Sequence, residues 1–250
     1  MSSESENNKR VMKNTLVLYV RMFFTMAVGF YMSRVILVSL GVEDYGIYNV
    51  VGGVTAMFSF LNSSLSGATS RFLTYELGEG NMQRMKATFS VAYTIHVLLA
   101  ILIFFICETV GLWLLEYKLV IPEARMNAAR VLYQLSVITV VVSIIQVPFN
   151  ALIIAHERMN AFAYLSIIDM LLKLGVALSL DFIPFDKLIT YGLLFFLVGN
   201  TMRLMYRWYA RKHFEECIIV ISKDKNLILP MLKFSGWDLY GNLSTMARTQ

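Results

Sequence analysis

Apolar residues fall in long runs separated by short polar breaks, and the run lengths predict helices throughout. The predicted spans are Asn14–Leu40, Tyr45–Ser70, Lys86–Leu115, Pro122–Ala155, Met159–Leu180 and Lys187–Trp208. A seventh begins near Met231 and runs to Gln250, where it is expected to be weakly anchored. A helix needs about 20 residues to cross a bilayer, so each of the first six is long enough. Gly41 reads as the stop of the first helix, and Glu43 and Asp44 suit the positive end of the next. Pro122 suits a first helical turn.

Two of the runs carry polar residues at helical spacing. The fourth has Ser136, Thr139, Ser143, Gln146 and Asn150, all on one face. The second has Gly52, Thr55, Ser59, Asn62, Ser66 and Thr69. Lipid offers these groups no partner, so both stripes face protein or water. Two readings stay open: close helix packing through small residues and hydroxyls, or the wall of a wet cavity. Pro148, between the two amides of the fourth run, predicts a kink or a freed carbonyl.

Composition settles the solvent. Hydrophobic residues make up 57% of the 250, and charged residues only 16%; mean hydropathy is +0.61. A soluble domain of this size could not hide that surface, so the chain is read as an all-α polytopic membrane protein. Residues 1–13 form a polar tail, 14–208 a lobe of six transmembrane helices, 209–230 a basic connector and 231–250 the start of the seventh helix. Cys107 and Cys217 are far apart and predict neither a disulfide nor a metal site.

The positive-inside rule sets the orientation. With the N-terminus in the cytoplasm, the inner loops hold thirteen Lys and Arg residues, six of them between Arg207 and Lys233. The outer loops hold only Lys118, Arg125, Arg130 and Lys187. The expected location is therefore a plasma membrane, with the N-terminus cytoplasmic.

Charges inside the spans matter more, because one at the bilayer centre costs ~2.5–3.5 kcal/mol on insertion scales. The cations are Arg21, Arg34, Lys173, Arg203 and Arg248, against Glu108 and Asp169. Arg21 and Arg34 lie near the two ends of the first helix and either snorkel or line a site for an anion. Glu108 reads as interfacial or as a cation site. Asp169 and Lys173 are four residues apart with the acid first, the favourable order for a pair on one helix face. That pair either neutralises the helix or forms a charge site at the membrane midplane. The candidate site is thus Arg21, Arg34, Lys173, Gln146 and Asn150 for substrate, and Asp169 and Glu108 for a coupling ion. Thr55, Ser59, Asn62, Ser136, Thr139 and Ser143 are the candidate lining.

No other chemistry is visible. His96, His156 and His213 are scattered, and His156-Glu157 lacks the second His of a zinc motif. There is no phosphate-binding glycine loop and no GxSxG. The sequence thus predicts no enzyme, cofactor or metal, and the basic residues follow membrane topology, not nucleic acid.

The stretch from Asn14 to Gly78 resembles the start of bacterial oligosaccharide flippases of the polysaccharide-biosynthesis type. These belong to the multidrug/oligosaccharidyl-lipid/polysaccharide (MOP) exporter superfamily. Arg34, Leu40-Gly41, Tyr45-Gly46 and Arg71-Phe72 carry the likeness. ETVGLW at 108–113, PEARMNAA at 122–129, IIAHERM at 153–159 and FSGWDLYGNLS at 234–244 extend it. The resemblance implies a two-lobed, alternating-access fold of which this chain is the first half. It implies transport of a polyprenyl-pyrophosphate-linked oligosaccharide across a bacterial inner membrane for surface polysaccharide or lipopolysaccharide synthesis. Membrane lipids and other polysaccharide-assembly proteins would be its partners. A cation-coupled multidrug exporter of the same superfamily is the alternative, and a non-transporting scaffold for polysaccharide assembly is a third reading.

Overall fold

A computed structural model describes the backbone of residues 2–249 except 57, 58, 219, 222 and 223. The side chains at 2–11, 13–14, 54–61, 63–64, 239 and 242–249 lie outside that description. All regular structure among the described residues is helical. The order is α1 (Ser2–Ala56), α2 (Ser59–Glu79), α3 (Met82–Ile106), α4 (Leu112–Tyr117), α5 (Met126–Ala155), α6 (Met159–Ser179), α7 (Lys187–His213) and α8 (Lys225–Thr249). A π turn, Cys107–Gly111, joins α3 to α4, and 3-10 turns precede α5 and follow α6.

α1 is two helices meeting at Gly41, whose φ of 80° and ψ of 170° no helix adopts. Only glycine takes that conformation without strain, so the chain reverses there. Side-chain pairings prove the reversal. Arg21 stacks on Phe162, Gly29 lies against Met170, and Ile36 shares a cluster with Val176, Ala177 and Leu180. Numbers rise together, so the first arm of α1 runs parallel to α6. Tyr48 then meets Tyr191, Asn62 bonds Ser143, and Leu73 packs with Phe149 and Leu152. The second arm of α1 and α2 therefore return, parallel to α5 and α7. Cys107 contacts Tyr133 while Phe89 contacts Phe149, so α3 runs opposite to α5. Directions alternate through six passes. Among the described residues, five helical spans are long and apolar enough to cross a bilayer by themselves, among them Thr15–Gly53 taken whole. α2 is the polar exception, and it crosses packed against α5.

The outer surface is apolar. Phe30 and Val38 are each 74% exposed, and Leu98, Phe105 and Leu197 also face outward. Such a surface is stable only against hydrocarbon.

Several predicted boundaries shift, for local reasons. The third span starts at Met82, because Gly80 turns the chain at φ 69° and Asn81 caps the new helix by accepting from the Arg84 N–H. Pro122 caps a 3-10 turn, Glu123–Arg125, and the α-helix itself starts at Met126. α5 remains one helix through Pro148, so no helix break accompanies the proline. α7 runs on to His213, since Arg211, Lys212 and His213 suit its negative end. α8 starts at Lys225, six residues before the predicted Met231, after Asp224 accepts from the Asn226 N–H. It is not loosely held: Met231 is buried with Val91, Ala92 and Ile95, and Phe234 stacks edge-on to Phe72.

A clasp closes the Gly41 end. Arg125 bonds both Asp44, just past the reversal, and Asp186, the cap of α7. Burial works to raise the Asp186 carboxyl, but the Arg125 hydrogen bond and the N–H groups of Ile189 and Leu188 outweigh it and hold it low. Its folded value thus lies below the unfolded one of about 3.9. The contribution to stability is complete above that value and is lost as pH falls through the folded one. Asp186→Asn should lower the thermal midpoint at pH 7, and the gap from the parent should close below about pH 4; a gap unchanged by acid would contradict the assignment.

At the π turn, the Tyr133 hydroxyl donates to the Cys107 carbonyl at 2.7 Å. A Cβ on Gly111 would stand 2.0 Å from that hydroxyl oxygen. Gly111→Ala should therefore cost about 1–3 kcal/mol by overpacking. Adding Tyr133→Phe should recover part of that loss in a thermal melt, although alone it removes a hydrogen bond worth about 1 kcal/mol.

Candidate functional site

Two adjoining cavities run along α5, and its polar stripe lines them. The first, about 290 Å³, is bounded by Ser136, Thr139 and Ser143 of α5, Asn62 of α2, Tyr48 and Gly52 of α1, and Gly192, Phe195 and Phe196 of α7. The second, about 260 Å³, takes Ser143, Gln146 and Asn150 of α5, Asn62 and Ser66 of α2, Asp169 and Lys173 of α6, and Gly199, Arg203 and Tyr206 of α7. Asn62 and Ser143 belong to both and are bonded at 3.0 Å, so this hydrogen bond forms the sill between them.

The two cavities differ in character. The first has aromatic rings but no charge in its lining: Tyr48, Phe195 and Phe196 lie there, and Tyr48 stacks edge-on to the buried Tyr191 behind it with centroids 5.1 Å apart. Charges and amides dominate the second. Lys173 Nζ donates to Asp169 Oδ2 at 2.7 Å and stands 5.0 Å from the centre of the Phe195 ring. Gln146 is buried and reaches Asn150 at 3.4 Å. Arg203 Nη1, Asp169 Oδ1 and Asn62 Oδ1 are buried and find no hydrogen-bond partner among the described residues. The cavity is therefore lined by both donors and acceptors.

The structure brings together Asn62, Ser136, Thr139, Ser143, Gln146, Asn150, Asp169 and Lys173. Arg21 lies nearby at the amino-terminal end, its guanidinium 4.9 Å from the Phe162 ring centre and its Nε buried without a partner. Arg34 is not brought in: it is exposed on α1 and lines neither cavity. Glu108 lies on the π turn, accepting from Gln134 at 3.2 Å, away from both cavities. The side chains of Thr55 and Ser59 lie outside the described residues. His96 is buried and held by the Ala92 carbonyl at 2.7 Å, a packing role.

Arg203, Tyr206, Phe195 and Phe196 are lining residues that the candidate set omits. Their signal was present in the sequence: Gly192, Phe195, Phe196, Gly199, Arg203 and Tyr206 follow the helical period. It was masked because aromatics and glycines in an apolar run look like ordinary lipid-facing or packing residues.

The profile of the MatE family matches residues 18–178. The chain belongs to the MatE family, and it carries one lobe of a membrane-transporter fold. It is similar to a solved multidrug resistance MATE family transporter of the MOP superfamily in an outward-facing conformation. The TM-score is 0.73 at 13% identity, over 93% of this chain and 53% of that one. It is also similar to a MOP superfamily transporter from Pyrococcus furiosus Vc1 (DSM3638), whose reverse binding-pocket polarity is said to suggest a different function. There the TM-score is 0.72 at 12% identity, over 93% of this chain and 53% of that one. The chain thus spans about half the length of these structures, and the likeness is one of fold. A search of curated proteins found no match. The expected half of a two-lobed fold is observed; these matches reach the superfamily and do not single out oligosaccharide flippases within it.

Cysteine accessibility distinguishes cavity from lipid. With buried Cys107 and Cys217 replaced by Ala, Ser136→Cys and Asn150→Cys should react with a membrane-impermeant maleimide in the full-length protein. Ile138→Cys, on the outward face of the same helix, should not. Equal labelling at 138 and 150 would count against a water-filled cavity.

Proposed function

We propose that the full-length protein is an alternating-access transporter whose cargo is an oligosaccharide on a polyprenyl pyrophosphate, moved across a bacterial inner membrane. The observation that supports this reading most is the charge balance of the second cavity. Arg203 and Lys173 face a single acid, Asp169. Two cations in a low-dielectric site favour an anion. The amides of Gln146 and Asn150 and the hydroxyl of Ser66 suit sugar hydroxyls, and the aromatic cavity beside them suits the apolar part of an amphiphile. The basic inner loops support a cytoplasmic N-terminus. Other polysaccharide-assembly proteins would be functional neighbours.

A second reading is favoured by a different observation. The family match and the multidrug transporter of like fold support a cation-coupled drug exporter more directly than a flippase. In that reading Asp169 carries the coupling ion, and the aromatic cavity receives a lipophilic drug.

Proteoliposomes of the full-length protein separate the two. The flippase reading expects lipid-linked oligosaccharide to cross, with Arg203→Gln slowing it at least about tenfold, the scale of a lost charge-assisted contact. It also expects no efflux of a cationic dye such as ethidium. Dye efflux without oligosaccharide movement would replace it by the exporter. Movement of neither would leave the scaffold reading.

A further inference from the structure

The first cavity has one polarity on its α5 wall. Ser136 donates its hydroxyl hydrogen to the Leu132 carbonyl at 2.8 Å, Thr139 to the Leu135 carbonyl at 2.8 Å and Ser143 to the Val140 carbonyl at 2.7 Å. A hydroxyl has one hydrogen and two lone pairs, so these three oxygens meet the cavity as acceptors. The role of Asn62 follows. The Ser143 hydrogen is already placed, so in their bond at 3.0 Å it is Asn62 Nδ2 that donates. Asn62 Oδ1 is then left over, buried and with no hydrogen-bond partner among the described residues. Tyr48, Phe195 and Phe196 add aromatic faces, and among the described residues no charged side chain lines this cavity.

We propose that the first cavity is a subsite for one uncharged pyranose ring, and that it selects neutral sugars over their uronic-acid and amino-sugar counterparts. The proposal rests on the oligosaccharide reading for the origin of the ring, and on the cavity alone for the site.

The lining decides between ligand classes. A carboxylate or phosphate brings only acceptors, and it would set them against acceptor oxygens and the negative faces of aromatic rings. A hydrocarbon chain would displace water and leave those oxygens buried without donors, at a cost for each. A cation suits rings and oxygens, but Lys173 Nζ already stands 5.0 Å from the centre of the Phe195 ring. A second cation at that ring meets a like charge where water is scarce. A neutral pyranose meets every requirement. The hydroxyls at its edge donate to Ser136, Thr139 and Asn62, and its C–H face lies on an aromatic ring. That C–H face is the apolar part that the aromatic cavity receives. A volume of about 290 Å³ accommodates a single hexose ring. The sill of Asn62 and Ser143 separates it from Arg203 and Lys173, so a sugar joined to a diphosphate at those cations is the ring placed to reach this cavity.

Saturation-transfer NMR on the full-length protein in phosphatidylcholine nanodiscs tests this, with empty nanodiscs as the blank. The probes are the methyl pyranosides of glucose, galactose, mannose and N-acetylglucosamine, each beside its uronic-acid or free amino-sugar counterpart. Measurements are made at about pH 6, where the uronate and the amine are both charged. At least one neutral pyranoside should bind, and its charged counterparts should bind at least about tenfold more weakly. Thr139→Val, which keeps the shape and removes the acceptor, should weaken binding about threefold or more. Thr139→Ser, which keeps the acceptor and removes a methyl, should bind nearly as the parent does. A packing role for Thr139 expects the opposite order. Binding of no neutral pyranoside, equal or tighter binding of a charged counterpart, or a Thr139→Val protein that binds as well as Thr139→Ser overturns the proposal.

If Thr139→Val does not fold, Ser136→Ala takes its place. It must weaken pyranoside binding by a similar factor, and unchanged binding there overturns the proposal. A second arm follows lipid-linked oligosaccharide in proteoliposomes. Pyranoside binding with the expected Thr139 order, but without oligosaccharide movement, upholds the site and overturns the cargo reading. Oligosaccharide movement without binding of any neutral pyranoside overturns the site and upholds the cargo reading.

Discussion

Hydrocarbon satisfies no hydrogen bond, and that constraint puts α5 at the centre of this lobe. The helix carries five polar residues on one face, so it must turn that face to other protein. Half of its most apolar stretch is buried, against 11% for the corresponding stretches of α1 and α6. The neighbours follow from it. α2 supplies Asn62 to Ser143, α3 supplies the Cys107 carbonyl to Tyr133, and α7 lays Gly192 under Leu132. Where small and polar groups alternate at these contacts the helices approach closely, and where they leave space the two cavities open. Packing and cavity lining, two alternatives for such a stripe, are both present on one helix.

Charge obeys the same constraint more severely. Separate ions at the midplane would cost ~2.5–3.5 kcal/mol each, so Asp169 and Lys173 are bonded on their own helix face. Arg203 has no such bond at Nη1 among the described residues, yet it is kept within the bundle. A purely structural pair would be complete without a third charge. An added, incompletely bonded guanidinium is a burden to folding, and burdens of this kind concentrate where a ligand completes the bonding. Arg34 makes the contrast. It sits on the same apolar background but near a helix end and exposed, where its long stem lets the charge reach water.

The elements were legible because span length and helical period are local properties. The six passes, the reversal at Gly41 and the shared face of Ser136 to Asn150 could all be read from spacing. What could not be read depended on partners far along the chain. Arg125 meets acids 81 and 61 residues away, and no spacing rule connects them. The π turn at 107–111 depends on Gly111 leaving room for Tyr133, a fact of packing between helices. Arg21 and Arg34 looked alike in sequence, being two cations near opposite ends of one helix, and only the neighbours separated them. Arg203 was visible as a charge but not as lining, since its helix presents lipid on one side and cavity on the other.

The placement of the clasp bears on how such a lobe can respond to cargo. Arg125 ties the second arm of α1, α5 and the start of α7 at the Gly41 end, and these same helices wall the aromatic cavity. That end is therefore held at fixed width. The charged cavity lies further toward the amino-terminal end, and there its acid and lysine belong to α6, a helix the clasp does not hold. α6 packs instead along the first arm of α1, through Arg21, Gly29 and Ile36. Gly41 joins the first arm to the clasped one, and it is the one residue of α1 whose backbone lies outside the helical range. Hinges in conformational transitions are a few residues that absorb the change in φ and ψ, and a glycine at φ 80° has the conformational freedom such a position uses.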